Sequence, residues 1–234
     1  MPPQDEYDRA SLAAHPPHLH AAYRSTLGRA PALPPIAIPQ GPSELTGPLF
    51  GHDRVRPGEA DLTRHHAGEP VGERIIIRGR VLDEAGRAVA DSLIEIWQTN
   101  AAGRYRHPRD QHPAPLDPNF TGVGRCVTDA TGQFEFITIK PGAYPWGNRL
   151  NAWRPAHIHF SLFGPSFLSR LVTQMYFPGD PLLPHDPIFN ALADPVARAR
   201  LVAHLDLEAG RPGWALGYGF DIVLRGPAAT PMEA

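Results

Sequence analysis

Residues 153–160 read Trp-Arg-Pro-Ala-His-Ile-His-Phe, and the order of residue types in this stretch predicts a strand that carries a site. Successive side chains of a β-strand point to opposite faces, so His157 and His159 would share one face and Ile158 and Phe160 the other. The apolar face is suited to a core. Two imidazoles on one face make half of a metal site, although a buried or solvated histidine pair gives the same pattern.

Runs of β-branched residues separated by Gly and Pro predict further strands before and after this stretch. Residues 74–82 read Arg-Ile-Ile-Ile-Arg-Gly-Arg-Val-Leu, and residues 83–86 read as a turn. Other strands are predicted over residues 88–98, 125–128, 133–139, 171–177 and 220–224, and the histidine strand is predicted to continue to Phe163. One late helix is predicted to begin at Asp194-Pro195 and to reach Leu205. Many short strands and one short helix favour an all-β fold, a β-sandwich core with long loops.

The first 72 residues differ from the rest because they are rich in Pro, His and Gly and lack sustained periodicity. A helical turn is expected near residues 20–27. The segment is too apolar in places to remain free, so we expect a Pro-rich N-terminal arm that wraps over its own domain or a partner subunit. Residues 73–234 are expected to form a single catalytic domain, a β-sandwich.

Composition excludes several function classes. The chain has 234 residues, 42% of them apolar, and a net charge of -2, which gives no basic surface for nucleic acid. The single cysteine, Cys126, rules out an intrachain disulfide framework and a Cys-rich metal site. No apolar run is long enough to span a membrane, and no signal segment is present, so a cytoplasmic location is expected. Neither a Gly-rich phosphate loop nor a Gly-x-Ser-x-Gly sequence occurs.

Two loop tyrosines could complete a metal site with the histidine pair. Tyr105 lies in Gly-Arg-Tyr-Arg-His, and Tyr144 lies in Pro-Gly-Ala-Tyr-Pro-Trp. Loop tyrosines are also common surface anchors, so the pattern leaves both readings open. A trivalent cation deprotonates a phenol, and two phenolates are hard donors that favour ferric iron. A zinc hydrolase would need a third His or carboxylate ligand and a general base, and no residue is placed convincingly for either role.

The segment from Ile77 to Tyr105 resembles the signature of the intradiol ring-cleavage dioxygenases. Its matching positions are Ile77-x-Gly79-x-Val81, Gly86, Val89, Ile94-Glu95-Ile96 and Gly103-x-Tyr105. Residues 116–126, 144–146, 153–160 and 220–226 are also similar to the family. Within it, the chain is most similar, from Tyr23 to Gly226, to the iron-binding β subunit of members that cleave protocatechuate.

The resemblance implies a non-haem Fe(III) site and a role for each matching residue. The implied metal ligands are Tyr105, Tyr144, His157 and His159. Tyr144 would also take up a substrate proton, and Arg154 would stabilise charge that develops when O₂ attacks. The remaining implied pocket residues are Gln174 as a catalytic polar group, with Trp146 and Ile188 at the ring slot and Tyr23 near the substrate carboxylate.

The resemblance further implies the reaction and the partner. Protocatechuate and O₂ would give 3-carboxy-cis,cis-muconate in aromatic catabolism, with an α subunit completing an αβ hetero-oligomer. Cleavage of catechol or hydroxyquinol, or a non-catalytic sandwich subunit, are the alternatives. Residues 53–70, 147–151 and 185–186 depart from the family pattern, and they are expected to form rim loops that influence substrate preference.

Overall fold

The computed structural model describes residues 15–34, 51, 53, 55–163 and 170–233. Within these ranges the chain forms short strands and two one-turn α-helices, α1 (Ser25–Arg29) and α2 (Pro195–Ala199). The strands are β1 (Arg74–Leu82), β2 (Leu93–Trp97), β3 (Val123–Val127), β4 (Gln133–Ile139), β5 (Tyr144–Pro145), β6 (Trp153–Arg154), β7 (His157–Phe163), β8 (Arg170–Tyr176), β9 (His204–Leu205), β10 (Leu216–Gly219) and β11 (Ile222–Val223). Single 3₁₀ turns span Leu62–Arg64, Leu183–His185 and Phe189–Ala191.

Two sheets pack face to face. The first has the order β11-β1-β10-β9, with β4 also paired to β1, and the second has the order β3-β2-β7-β8. Apolar side chains from both sheets form one core, in which the Phe160 ring lies 5.9 Å from that of Phe134 and 5.3 Å from that of Phe220. The predicted β-sandwich is therefore confirmed. Strands β5 and β6 form a separate hairpin that leads into β7.

The second strand is shorter than predicted. Regular pairing begins at Leu93 rather than near residue 88, because Asp91 has a φ of 54° and interrupts the extended backbone. Before that break, Val89 N–H still donates to the Val81 carbonyl at 2.9 Å. The strands predicted over residues 74–82 and 133–139 have the predicted bounds, and the histidine strand ends at Phe163 as predicted.

The prediction of a helix reaching Leu205 was wrong. Asp194 caps α2 by accepting from the Val196 N–H at 2.9 Å, as the sequence indicates, but α2 ends at Ala199. Beyond it, the Leu201 carbonyl accepts from the Tyr176 N–H at 2.8 Å, and His204–Leu205 forms strand β9 against β10. Pairing with existing strands satisfies these backbone groups and ends the helix. The closing strand predicted over residues 220–224 is also shorter in the structure. β11 covers only Ile222–Val223, and the preceding strand β10 was not predicted.

The described part of the predicted arm packs on the segment between β5 and β6. Its predicted helical turn is α1, and just before it the Arg24 N–H donates to Asn148 Oδ1 at 2.7 Å. Asn148 Nδ2 in turn donates to the Ala22 carbonyl at 2.7 Å. Residues 1–14 and 35–50 of the predicted arm lie outside the described residues, and the boundary at residue 72 stays a prediction. In the described ranges, no helix is long and apolar enough to cross a membrane.

Candidate metal centre and active site

Strand β7 places both histidines beside aromatic and polar neighbours on adjacent strands. His159 pairs with Trp97 of β2 and Gln174 of β8, and His157 pairs with Tyr176. The Trp97 and His159 rings are stacked, with centroids 4.7 Å apart and an interplanar angle of 5°. The two imidazole rings lie 4.9 Å apart, as expected for side chains that share one strand face.

Tyr105, in the loop after β2, and Tyr144, the first residue of β5, meet the histidines at this face. Tyr105 Oη lies 3.2 Å from His159 Nε2, and the Tyr144 ring lies 5.5 Å from the His157 ring. The two phenol rings are 5.4 Å apart. Four side chains from three separate segments therefore converge, which is the arrangement that the family resemblance implies.

Close backbone contact brings the two tyrosine loops together. Gly103 has a φ of 77°, and a side chain there would overlap the carbonyl oxygen of Ala143, the residue before Tyr144. The Asn100 carbonyl joins the loops because it accepts from the N–H of Gly103 at 3.0 Å and of Gly142 at 2.9 Å. Glycine is required at Gly103 for both conformation and space. These contacts position two phenols that no regular strand pairing holds together.

Each imidazole is oriented by a hydrogen bond on its far side. His157 Nδ1 lies 2.7 Å from the Pro155 carbonyl, and His159 Nδ1 lies 3.0 Å from Glu233 Oε2. Both partners are acceptors, so each Nδ1 is the donor and each Nε2 faces the site. Burial, then the nearby Arg154 charge, lowers the pKa of His157 well below its usual value. The neutral imidazole is the form that binds a metal.

The phenols are held neutral unless a cation binds. Burial, then the neighbouring Tyr144, raises the pKa of Tyr105 well above its usual value. Burial also raises the pKa of Tyr144, although the Arg154 charge opposes that shift. Among the described residues, no group of three or more His, Cys, Asp or Glu could hold a metal, so a metal here would depend on the tyrosines. Two imidazoles and two phenols fit a hard trivalent ion such as Fe(III).

Arg154 is almost fully buried at the edge of this cluster, with 2% of its surface exposed. Its Nη2 donates to Gln174 Oε1 at 2.7 Å, to Tyr176 Oη at 3.0 Å and to Asp186 Oδ2 at 2.7 Å. Its Nη1 lies 3.3 Å from His157 Nε2. Burial opposes the charged form, but Tyr176 and Asp186 outweigh it and the pKa of Arg154 is raised well above its usual value. The side chain is a fixed cation next to the four candidate ligands.

The predicted ring-slot residues surround the same region. The Tyr23 ring meets the Trp146 ring edge-on at 5.3 Å, and the Arg154 guanidinium carbon lies 5.7 Å from the Trp146 centroid. Ile188 is buried, and its N–H donates to Asp186 Oδ1 at 3.1 Å. The arm residue Tyr23 therefore contacts the candidate pocket of its own chain.

Sequence reasoning missed four residues of the site. Trp97 and Tyr176 could have been found by strand alternation, because they oppose His159 and His157 across neighbouring strands. Glu233 gave no such signal, since it lies 74 residues from its partner His159. The fourth is Asp186.

The prediction that the departing segments are rim loops was wrong at several positions. Asp186 is 0% exposed and Asn148 is 5% exposed. Leu62, within the segment 53–70, is 0% exposed and packs into the sandwich core. These residues lie at buried positions, where they hold neighbouring elements rather than line an entrance.

Comparison with known proteins agrees with this geometry. Residues 45–226 match the family model described as Dioxygenase, and residues 7–41 match the one described as Protocatechuate 3,4-dioxygenase beta subunit N terminal. The chain belongs to the intradiol dioxygenase family. It is 57% identical to the protocatechuate 3,4-dioxygenase beta chain of Burkholderia cepacia, over 94% of each chain.

More distant members of the intradiol dioxygenase family are also similar to this chain. The protocatechuate 3,4-dioxygenase alpha chain of Burkholderia cepacia is 31% identical, over 82% of this chain and 96% of that protein. The crystal structure of 3-chlorocatechol 1,2-dioxygenase from Rhodococcus opacus 1CP matches with a TM-score of 0.53 and 28% identity, over 66% of this chain and 60% of that one. The resemblance stated from the sequence is thus confirmed, together with the enzyme class.

Proposed function

We propose that this chain is the iron-binding β subunit of a protocatechuate 3,4-dioxygenase. The enzyme would break the ring bond between the two hydroxyl-bearing carbons of protocatechuate and add one oxygen atom of O₂ to each carbon, giving 3-carboxy-cis,cis-muconate. The observation that carries the proposal is the convergence of Tyr105, Tyr144, His157 and His159 beside a buried arginine. The sequence similarity to the Burkholderia cepacia beta chain supports the choice of substrate.

The four converging side chains would hold the ferric ion. When bound, Fe(III) would accept both oxygen atoms of a catecholate and withdraw electron density from the ring, which makes the ring reactive toward O₂. The two Nε2 atoms are already oriented by Pro155 and Glu233, so the strand supplies neutral donors in a fixed direction. Tyr105 and Tyr144 would supply the negative charge that favours the ferric state.

Tyr144 and Arg154 are placed to manage protons and charge. Burial raises the pKa of Tyr144, so its phenolate is a strong base that would accept a proton from a substrate hydroxyl group. Arg154 pairs directly with Tyr144 across the β5–β6 hairpin and projects a fixed cation toward His157. Such a preorganised cation stabilises negative charge as it develops on the substrate. Gln174 would act in the same polar cluster through its bond with Arg154.

The aromatic ring would lie against Trp146 and Ile188. The edge-on contact of Tyr23 with Trp146 places a phenol from the arm at this wall, where it would meet the substrate carboxylate. An α subunit would complete the pocket, and the similarity of this chain to both beta and alpha chains supports an assembly of two related sandwiches. The cytoplasmic location predicted from the sequence stays a prediction.

The visible spectrum of the iron-loaded protein, co-expressed with its α partner, tests this proposal. Phenolate-to-Fe(III) charge transfer should colour the sample red, and anaerobic protocatechuate should shift the band as it chelates. A colourless protein that holds stoichiometric iron would show that the tyrosines are not ligands. A red protein that responds to catechol or hydroxyquinol but not to protocatechuate would support the proposed metal chemistry and refute the proposed substrate.

A further inference from the structure

Asp186 is a fully buried carboxylate, 0% exposed, in the loop between the 3₁₀ turns Leu183–His185 and Phe189–Ala191. Ionised side chains are rarely buried unless they are paired. Here the two oxygen atoms have different partners. Oδ2 accepts from Arg154 Nη2 at 2.7 Å, and Oδ1 accepts from the Ile188 N–H at 3.1 Å. One carboxylate therefore joins the active-site cation to a residue of the ring slot.

The backbone around Asp186 is fixed on both sides. Its N–H donates to the Leu183 carbonyl at 3.3 Å, and its own carbonyl accepts from the Asn190 N–H at 3.0 Å and from Asn190 Nδ2 at 2.7 Å. The Tyr176 hydroxyl approaches Oδ2 at 3.2 Å from strand β8. These contacts leave the carboxylate one orientation, in which it faces Arg154.

The orientation of the guanidinium follows from this anchor. Nη2 carries two hydrogens, and it has three acceptors within 3.0 Å, of which only Asp186 is a carboxylate. All three hydrogen bonds are charge-assisted because the guanidinium is ionised, but only Asp186 adds a full opposite charge, at 2.7 Å, so Asp186 dominates the position of Nη2. With Nη2 held there, Nη1 faces the metal side of the cluster, 3.3 Å from His157 Nε2.

We propose that Asp186 is a positioning residue. It holds the Arg154 guanidinium toward the reacting substrate, and it fixes the position of Ile188 relative to that guanidinium. The inference rests on the proposed function, in which Arg154 stabilises charge formed during O₂ attack. The side chain of Asp186 contacts Arg154, Tyr176 and the Ile188 N–H, and none of these residues is a candidate ligand. Substitution of Asp186 should therefore slow the step in which charge develops and change the affinity for the substrate much less.

Asp186→Asn tests the proposal because asparagine keeps an acceptor for the Ile188 N–H and removes the charge that holds Arg154. In the iron-loaded complex with the α subunit, anaerobic titration with protocatechuate gives the dissociation constant from the charge-transfer band. Stopped-flow mixing of that complex with O₂ gives the rate of the oxidative step. We expect the dissociation constant to change less than about threefold and the O₂ rate to fall about ten- to a hundredfold, as for a misdirected electrostatic group.

Asp194→Asn is the matched control. Asp194 is an exposed aspartate that also accepts from a backbone N–H two residues on, but it contacts no arginine of the site. It should leave both the dissociation constant and the O₂ rate unchanged. An O₂ rate for Asp186→Asn equal to that of Asp194→Asn would overturn the proposal.

A double-mutant cycle with Arg154→Gln adds a measurement that does not need turnover. Arg154→Gln leaves Asp186 buried and unpaired, and Asp186→Asn leaves Arg154 unpaired, so each single variant should melt at a lower temperature than the double variant, in which both side chains are neutral. The double variant should react with O₂ as slowly as Arg154→Gln and no slower. A double variant that melts below both single variants, or reacts at least tenfold more slowly than Arg154→Gln, would contradict a role exercised through Arg154.

Different results would refute the proposed function and the role of Asp186. A wild-type protein that stays colourless or ignores protocatechuate refutes the proposed function. A wild-type protein that cleaves protocatechuate, alongside an Asp186→Asn variant with normal O₂ kinetics, refutes only the role of Asp186.

Discussion

The two halves of the candidate metal centre are built differently. On the strand side, His157 and His159 lie on β7, and their neighbours on β2 and β8 are set by ladder register. On the loop side, Tyr105 and Tyr144 are brought together by backbone contacts around Gly103. The strand side presents neutral nitrogens in fixed directions. The loop side presents phenols that become anions only next to a cation. A sheet can thus orient half of a site while close-packed loops supply its charge.

Removal of a strand-side donor should have the largest effect. His159→Ala deletes one of two neutral nitrogens and leaves Glu233 without its hydrogen-bond donor. We expect loss of nearly all bound iron and nearly all ring-cleaving activity, measured by metal analysis and by O₂ uptake with protocatechuate. His107→Ala is the control, because His107 is exposed although it lies two residues from Tyr105. Equal iron content in the two variants would show that the strand side does not hold the metal.

Disruption of the loop side should have the second-largest effect. Gly103→Ala places a side chain against the Ala143 carbonyl at a φ of 77°. The backbone strain alone is about 1–3 kcal/mol, and the collision would also separate the tyrosine loops. We expect lower stability in urea and a weaker charge-transfer band per bound iron.

Gly86→Ala separates these two effects. Gly86 has a similar φ of 75°, but nothing lies within 4 Å of a side chain there. It should lose stability through strain alone and keep the full charge-transfer band. If Gly103→Ala and Gly86→Ala give the same spectrum, contact between the loops does not position the phenols.

Loss of the group that orients His159 should have a moderate effect. Burial raises the pKa of Glu233, but the hydrogen bond from His159 and the nearby Arg154 charge outweigh burial and lower that pKa, so Glu233 is an anionic acceptor. Glu233→Gln should weaken iron binding about ten- to a hundredfold, as is typical for partners of ligating histidines. Competition with a chelator gives the affinity. The exposed Glu208→Gln is the control, and iron affinities that agree between the two variants would rule out this role.

Truncation of the arm contact should have the smallest effect, because Tyr23 meets Trp146 and not the candidate ligands. The aromatic pair is worth about 0.5–1.5 kcal/mol, so Tyr23→Ala should raise the KM for protocatechuate roughly two- to tenfold. The iron content and kcat should stay near the wild-type values. Leu33→Ala, at an exposed arm position, should change neither constant. A fall in kcat with an unchanged KM would place Tyr23 in the chemical step instead.

The site residues that lie on strands could be predicted from the sequence, but the geometry of the loops could not. Alternation predicts that His157 and His159 share a face, and the β-branched run at 74–82 predicts β1 with its observed bounds. The same rule would have indicated Tyr176, two residues after Gln174. The helix predicted to Leu205 failed because residues 201–205 find hydrogen-bond partners on β8 and β10, which local periodicity does not contain.

The residue types of the site, its half on β7 and, by resemblance, the family could be predicted from the order of amino acids. The way in which those residues are held follows from the packing of the folded chain. Asp186 faces Arg154 from a separate loop, and Glu233 reaches His159 from the end of the described chain. Local patterns follow from the fixed periodicity of a strand. Contacts between distant segments depend on how the whole chain packs, so a buried carboxylate that looks like part of a rim loop in the sequence lies beside the active-site cation.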